Sequence, residues 1–200
     1  MRAIPIETWL APRNRTKIDV SAANGFVSQP NTPRVKTGIS HADAEWDQYF
    51  SGYRVYGFGQ VMFDHNYSQG LDLMQNYGGG IGWTTIHKPA LTLDLKGSIS
   101  YVKQQFQVSS ENHNLVASTF TESSTRRLTR GMLLVQQISA TPTWNELTAW
   151  LAAASASFTA PVYGRLSLHI GVQDNFLNRP PAGFKKNSFQ ATTGLTYSLK

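Results

Sequence analysis

Cysteine is absent from the 200 residues, which removes a disulfide framework, a thiolate zinc site and a cysteine nucleophile together. Stability must come from packing and backbone pairing. No run of about 18 apolar residues occurs, so a transmembrane helix is excluded. The nearest approach, Ala149 to Val162, is interrupted by Ser and Pro. The opening MRAIPIETWLAPRNR has an early arginine but no sustained apolar stretch, so it does not read as a secretory signal peptide; the chain is then cytosolic, mature or truncated.

Charge is also scarce. Charged residues make up 15% of the chain, against roughly 25% in soluble globular proteins, and Ser, Thr, Asn, Gln and Gly fill the deficit. That mix favours strands and turns, since Thr, Tyr, Phe and Val suit a pleated surface and Gly, Asn and Ser suit its corners. The net charge of +6 fits nucleic acid, anionic headgroups or a solvated face equally well. The length suits one domain or one closed sheet.

What is present is alternation. From residue 91, Leu91, Leu93, Leu95, Gly97, Ile99 and Tyr101 oppose Thr92, Asp94, Lys96, Ser98 and Ser100. Leu166, Leu168, Ile170 and Val172 oppose Arg165, Ser167, His169, Gly171 and Gln173. Phe189, Ala191, Thr193, Leu195, Tyr197 and Leu199 form one late face, and Ile18, Val20 and Ala22 an early one against Lys17, Asp19 and Ser21. A period of two is the mark of a half-buried strand. These strands run to roughly 10 residues, the length a tilted strand needs to cross a bilayer. Segments 34–47, 116–127, 131–141 and 147–160 alternate imperfectly, and the Ala-rich last of them is open to a helical reading.

The strands expected are 17–27, 34–47, 53–63, 71–86, 91–106, 115–127, 131–141, 147–160, 163–174 and 188–199, about ten in all. Connections after the first, third, fifth and ninth are longer (SQPNTP, DHNYSQG, QVSSENHN, DNFLNRPPAGFKK), and those after the even strands are short. That asymmetry is the one between extracellular loops and periplasmic turns, and an even count puts both termini on the short-turn side. The fold expected is an all-β, antiparallel up-and-down transmembrane β-barrel over 16–200, preceded by an N-terminal extension over 1–15.

In such a barrel the polar face lines the lumen. Lys17, Asp19, Asp94, Lys96, Arg165, His169 and Gln173 are the expected lumenal set, a poor soluble core but an acceptable aqueous lining. Leu91, Leu93, Leu95, Leu166, Leu168, Ile170, Val172, Leu195 and Tyr197 are the expected lipid-facing set. Trp46, Trp83, Trp144, Trp150, Tyr53, Tyr77, Tyr101 and Tyr163 sit mostly near strand ends, as an interfacial girdle does.

The glycines of LDLMQNYGGGIGW match neither the dinucleotide fingerprint nor a P-loop, and no helix follows them to hold a phosphate. At spacing two, Gly78, Gly80 and Gly82 share a face with Asp72, Met74 and Asn76, while Leu71, Leu73, Tyr77, Ile81 and Trp83 take the other. A bare inner stripe lets a sheet curl or admits large groups from opposite strands.

His41, Asp43 and Glu45 project to one side of a strand, yet consecutive members stand about 6.5 to 7 Å apart, so one ion is shared by two at most. A lumenal or solvated row is the plainer reading. Asp64 and His65 open a loop of turn formers, DHNYSQG. His169 with a lumenal serine is the one conceivable hydrolytic pair. TRRLTR, residues 125–130, lacks the interleaved aromatics of a single-strand binder and reads as a turn whose arginines reach phosphates or water. NRPPAGFKKNS, 178–188, reads as an exposed surface loop.

The segments FDHNYSQGLDLMQNYGGGIGW, LTLDLKGSISY and RLSLHIGVQDNFLNRPPAGFKKNSFQATTGLTYSL, spanning roughly residues 50–200, resemble the DUF481 family, the YdiY-like "salt-induced outer membrane protein" group of Gram-negative and related bacteria. The resemblance implies an outer-membrane barrel of undefined role with no catalytic residues to carry over. Two departures stand out: no signal peptide, which suggests an incomplete or mis-started chain, and an end on Tyr197-Ser198-Leu199-Lys200 rather than on an aromatic residue.

The expectation is therefore a non-enzymatic outer-membrane barrel, structural or serving small-solute passage or binding, with no cofactor and no metal. Its partners would be outer-membrane lipid and the barrel-assembly machinery, not nucleic acid. The alternatives are a soluble or periplasmic lipocalin-like barrel with its leucine faces turned inward, and an outer-membrane lipid hydrolase.

Overall fold

The computed structural model describes residues 2–10, 13–27, 35–50 and 54–197, with side chains from 13 to 22, 38 to 50 and 54 to 195. The alternating segments all become strands: β1 Arg2–Leu10, β2 Asn14–Val27, β3 Val35–Tyr49, β4 Val55–Asn66, β5 Leu71–Lys88, β6 Leu91–Phe106, β7 His113–Arg127, β8 Leu133–Thr141, β9 Leu151–Tyr163, β10 Leu166–Leu177 and β11 Asn187–Tyr197. They form one sheet in chain order, each antiparallel to the next. The architecture is thus an all-β, up-and-down sheet curled in the manner of a barrel. Among the described residues no pairing joins β11 to β1.

Two expectations change. Arg2–Leu10, expected within an N-terminal extension, is a strand paired with β2, so the sheet begins before residue 16 and its start lies at the loop end rather than the short-turn end. The Ala-rich segment is strand from Leu151, with Trp144 and Trp150 in the connection before it. Small alanines on alternate positions pack as well against a sheet as against a helix, and pairing on both sides with β8 and β10 decides the matter.

The curl is visible in side-chain contacts that skip many strands. Leu71 of β5, Phe106 of β6 and Leu177 of β10 share an inner cluster with Met74 and Leu151. Val102, Leu115, Ala117 and Ala149 form an adjoining one. Both lie toward the longer loops and plug that end with apolar groups.

Leu71 belonged to the outer face in the sequence pattern. A bulge between Leu71 and Leu73 in the β5–β6 pairing turns it inward and leaves Asp72 exposed, because one extra residue reverses the facing of everything beyond it. The short β8 pairs only with the lower part of β7. Above it, residues 142–145 take over the free edge: Trp144 N–H donates to Val116 O at 2.7 Å, and Asn145 Oδ1 accepts from Val116 N–H at 2.8 Å.

The closest strand approach follows from the glycines of β5. A Cβ on Gly80 would overlap the Gly97 carbonyl oxygen and lie 2.6 Å from Ser98 Cα, so β5 and β6 approach there more closely than any side chain allows.

Candidate functional site

Among the described residues a network of charged and aromatic side chains lies inside the curl, toward the short turns. Register builds it. β2 and β3 pair so that Arg15 opposes Asp47, Lys17 opposes Glu45 and Asp19 opposes Asp43, all on the inward face. Arg15 Nε donates to Asp47 Oδ2 at 2.6 Å, and Lys17 Nζ donates to Glu45 Oε1 at 2.8 Å while standing 3.7 Å from Asp47. From across the curl, Lys96 of β6 reaches the other Glu45 oxygen.

Glu45 and Asp47 are 2% and 0% exposed, so these charges are held by partners rather than by bulk solvent. Aromatic faces complete the setting. Tyr49 and Tyr56 lie 5.4 and 5.1 Å from the Arg15 guanidinium, and the Phe58 ring is 5.2 Å from Lys96 Nζ. Arg15 Nη2, Asp47 Oδ1 and Tyr56 Oη are buried without a protein partner, so each retains hydrogen-bonding capacity for a polar solute or water.

Of the other residues expected in the lumen, three are engaged as follows. Asp94 accepts from Thr84 Oγ1 at 2.5 Å, His169 Nδ1 meets Thr159 Oγ1 at 3.2 Å, and Gln173 Nε2 donates to Asn175 Oδ1 at 3.2 Å. Asp19 faces Asp43 across the ladder. Arg165 does not join them: it sits exposed in the two-residue turn Gly164–Arg165, where the chain has already left the strand. His41, Asp43 and Glu45 do share a face, but each is engaged separately. His41 Nδ1 is 2.6 Å from Asp64, Gln60 donates to Asp43 at 2.8 Å, and Glu45 holds the lysines. Among the described residues no metal-holding group forms.

The loop end is closed by a strap. Tyr67–Gln69, a 3-10 turn after β4, crosses to β10 and β11, where Gln69 Nε2 donates to the carbonyls of Asn175 at 2.9 Å and Lys186 at 2.8 Å. Ser68 Oγ donates to Ser188 at 3.0 Å, and the Phe184 ring packs against Gly70, whose φ of 67° takes the left-handed region. The loop 178–188, expected as plain exposed surface, is therefore tied to the interior. His65 and Asp64 belong to β4 rather than to a loop. TRRLTR does close a turn, with Arg130 and Gly131 at positive φ.

Leu95, Ile170, Val172 and Leu195 are exposed; Leu91, Leu93, Leu166 and Leu168 are half-buried; the Tyr197 side chain lies outside the described residues. Leu95, Ile170 and Leu195 are therefore not buried together inside the curl.

The profile of a family described as a protein of unknown function, DUF481, matches residues 9–199. The chain belongs to the DUF481 family. The match takes in β2 and β3 as well as the later strands, so the ion network is built entirely from residues within DUF481 bounds. No curated protein and no solved structure matches the chain.

Sequence reasoning missed Arg15 and Asp47 of this DUF481 network. Arg15 fell in the supposed extension and Asp47 at the margin of a weakly alternating segment. Their signal was the opposite charge at matched spacing, Arg15-x-Lys17 against Glu45-x-Asp47.

Proposed function

We propose that this chain is an outer-membrane β-barrel whose polar interior binds, or passes under restriction, a small polar solute, and that it carries out no catalysis. The observation that carries the reading is the inversion of a soluble core. Charged pairs are buried inside the curl, while large apolar side chains face outward, Ile81 at 62%, Phe120 at 60% and Leu195 at 66% exposure. A water-soluble protein gains by burying such groups; a protein in lipid gains by exposing them.

Dimensions support the same reading. From Leu91 to Tyr101 the outer face of β6 runs ~33 Å at about 3.3 Å per residue, and a strand tilt of about 40° reduces this to ~25 Å, the height of an outer-membrane apolar band. Tyr77 and Trp83 are both exposed on the outer face of β5, Tyr77 beside Tyr101 at the loop-side end of that stretch.

The interior favours restricted passage over an open channel. The ion network crosses the short-turn half, and the apolar clusters with the Tyr67–Gln69 strap fill the loop half. Hydrolysis finds less support, since His169 meets Thr159 and among the described residues no carboxylate bonds its ring to orient it.

The test is refolding. Chain recovered from inclusion bodies should fold only with detergent or lipid, show a heat-modifiable gel shift, and give small or no steady conductance in planar bilayers. A monodisperse, fully folded protein in plain buffer overturns the membrane reading, and large ohmic conductance overturns the restricted interior.

A further inference from the structure

The outer wall of β3–β6 is not a uniform apolar belt. Gly59 of β4 and Gly79 of β5 are direct cross-strand partners on the outward face, flanked along the same row by Trp46 and Ile99. With no side chain at either glycine, the wall dips into a depression of about 750 Å³ between Trp46, Val61, Tyr77 and Ile99. A convex wall of the kind alternation predicts would fill that row.

The rim on the loop side is polar and carries a cation, Lys103. Tyr77 and Tyr101, neighbours across β5 and β6, turn their hydroxyls toward Gln75 at 3.3 Å and Asn114 at 3.0 Å. Lys103 lies in that rim, opposite Gln75 and Asn114 and two residues beyond Tyr101 on the same face. It takes part in none of the ion pairs among the described residues.

We propose that this depression is a lipid site: an acyl chain lies over the Gly59–Gly79 floor and the anionic phosphate of the same lipid meets Lys103. The inference rests on the membrane reading above and specifies its partner. The depression is apolar where a chain would lie, and Lys103 at its loop-side rim has the sign that an anionic headgroup requires. The spacing fits as well, since Lys103 is four residues beyond Ile99, ~13 Å along the strand at about 3.3 Å per residue.

Gly59 supplies the decisive variant. A Cβ there meets nothing within 4 Å, so Gly59→Leu fills the depression without disturbing the sheet. The full chain, refolded in detergent, is titrated with dioleoyl phosphatidylglycerol or dioleoyl phosphatidylcholine and its bound lipid counted by native mass spectrometry.

The wild type should hold phosphatidylglycerol at several-fold lower lipid concentration than phosphatidylcholine. Gly59→Leu should lose retention of both, and Lys103→Gln should lose the preference while keeping retention. Equal retention by a heat-modifiable Gly59→Leu protein, or a wild type without headgroup preference, overturns the site alone. A wild type with no heat-modifiable form overturns the membrane reading and the site with it.

Discussion

The ring of Tyr56 stands where a side chain at residue 82 would be: a Cβ built on Gly82 falls 2.6 Å from Tyr56 Oη and overlaps the ring itself. Tyr56 is wholly buried and its neighbour on the lumenal side is Arg15. One glycine thus admits the aromatic wall against which the ion network rests.

Gly82→Ala should destabilise the fold by ~1–3 kcal/mol through overpacking. Urea unfolding of the refolded protein in detergent measures this. Pairing it with Tyr56→Leu should recover part of the loss, because the two positions share one space. An unchanged midpoint in the single variant would mean that the ring is not fixed there.

Glu45→Gln should cost more. It keeps the shape but leaves Lys96 buried without its carboxylate and Lys17 with only the more distant Asp47. Removing one member of a buried ionic group costs ~3–5 kcal/mol. The same unfolding experiment reads it, and replacing Lys96 by Met in the Glu45→Gln background should restore stability relative to the single variant.

Ile81→Arg separates lipid from water as the outer solvent. On a water-facing surface the change should stay within ~0.5 kcal/mol. On a lipid-facing one it should cost ~2–4 kcal/mol near the bilayer midplane. Folding efficiency into phosphatidylcholine vesicles, scored by the heat-modifiable gel band, distinguishes the two, and undiminished folding would count against the membrane reading.

Gln69→Ala should loosen the strap. Its amide serves two backbone carbonyls on β10 and the loop before β11, and leaving such acceptors unpaired costs ~1–3 kcal/mol. The expected result is faster hydrogen exchange at Tyr67–Gly70 and 184–188, with exchange in β6 unchanged. Faster exchange spread evenly over the sheet would show that the strap is not a separate unit.

Strand identity and facing were legible wherever alternation was strong, as in β6 and β10, because a period of two needs only local residues. Leu71 was misplaced because a bulge is a property of the pairing, not of one strand. Arg165 was misplaced because a face can be extrapolated one residue past its strand into the turn. The ion network was half legible: Lys17 and Lys96 were visible as inward charges and Glu45 as part of a lumenal or solvated row, but that β6 delivers Lys96 to Glu45 depends on the curl, which no local pattern records. The glycine stripe was legible as a bare face, though not as a seat for Tyr56.

The described residues form eleven strands, an odd number, and in this sheet that has a mechanical meaning. Since every neighbour runs antiparallel, β1 and β11 point the same way. A ring that keeps all its seams antiparallel needs an even count, so β11 can close in that manner on β2 but meets β1 only as a parallel partner. Among the described residues β1 and β11 are thus rivals for one edge of β2, and a ten-stranded antiparallel ring must leave out either the first strand or the last.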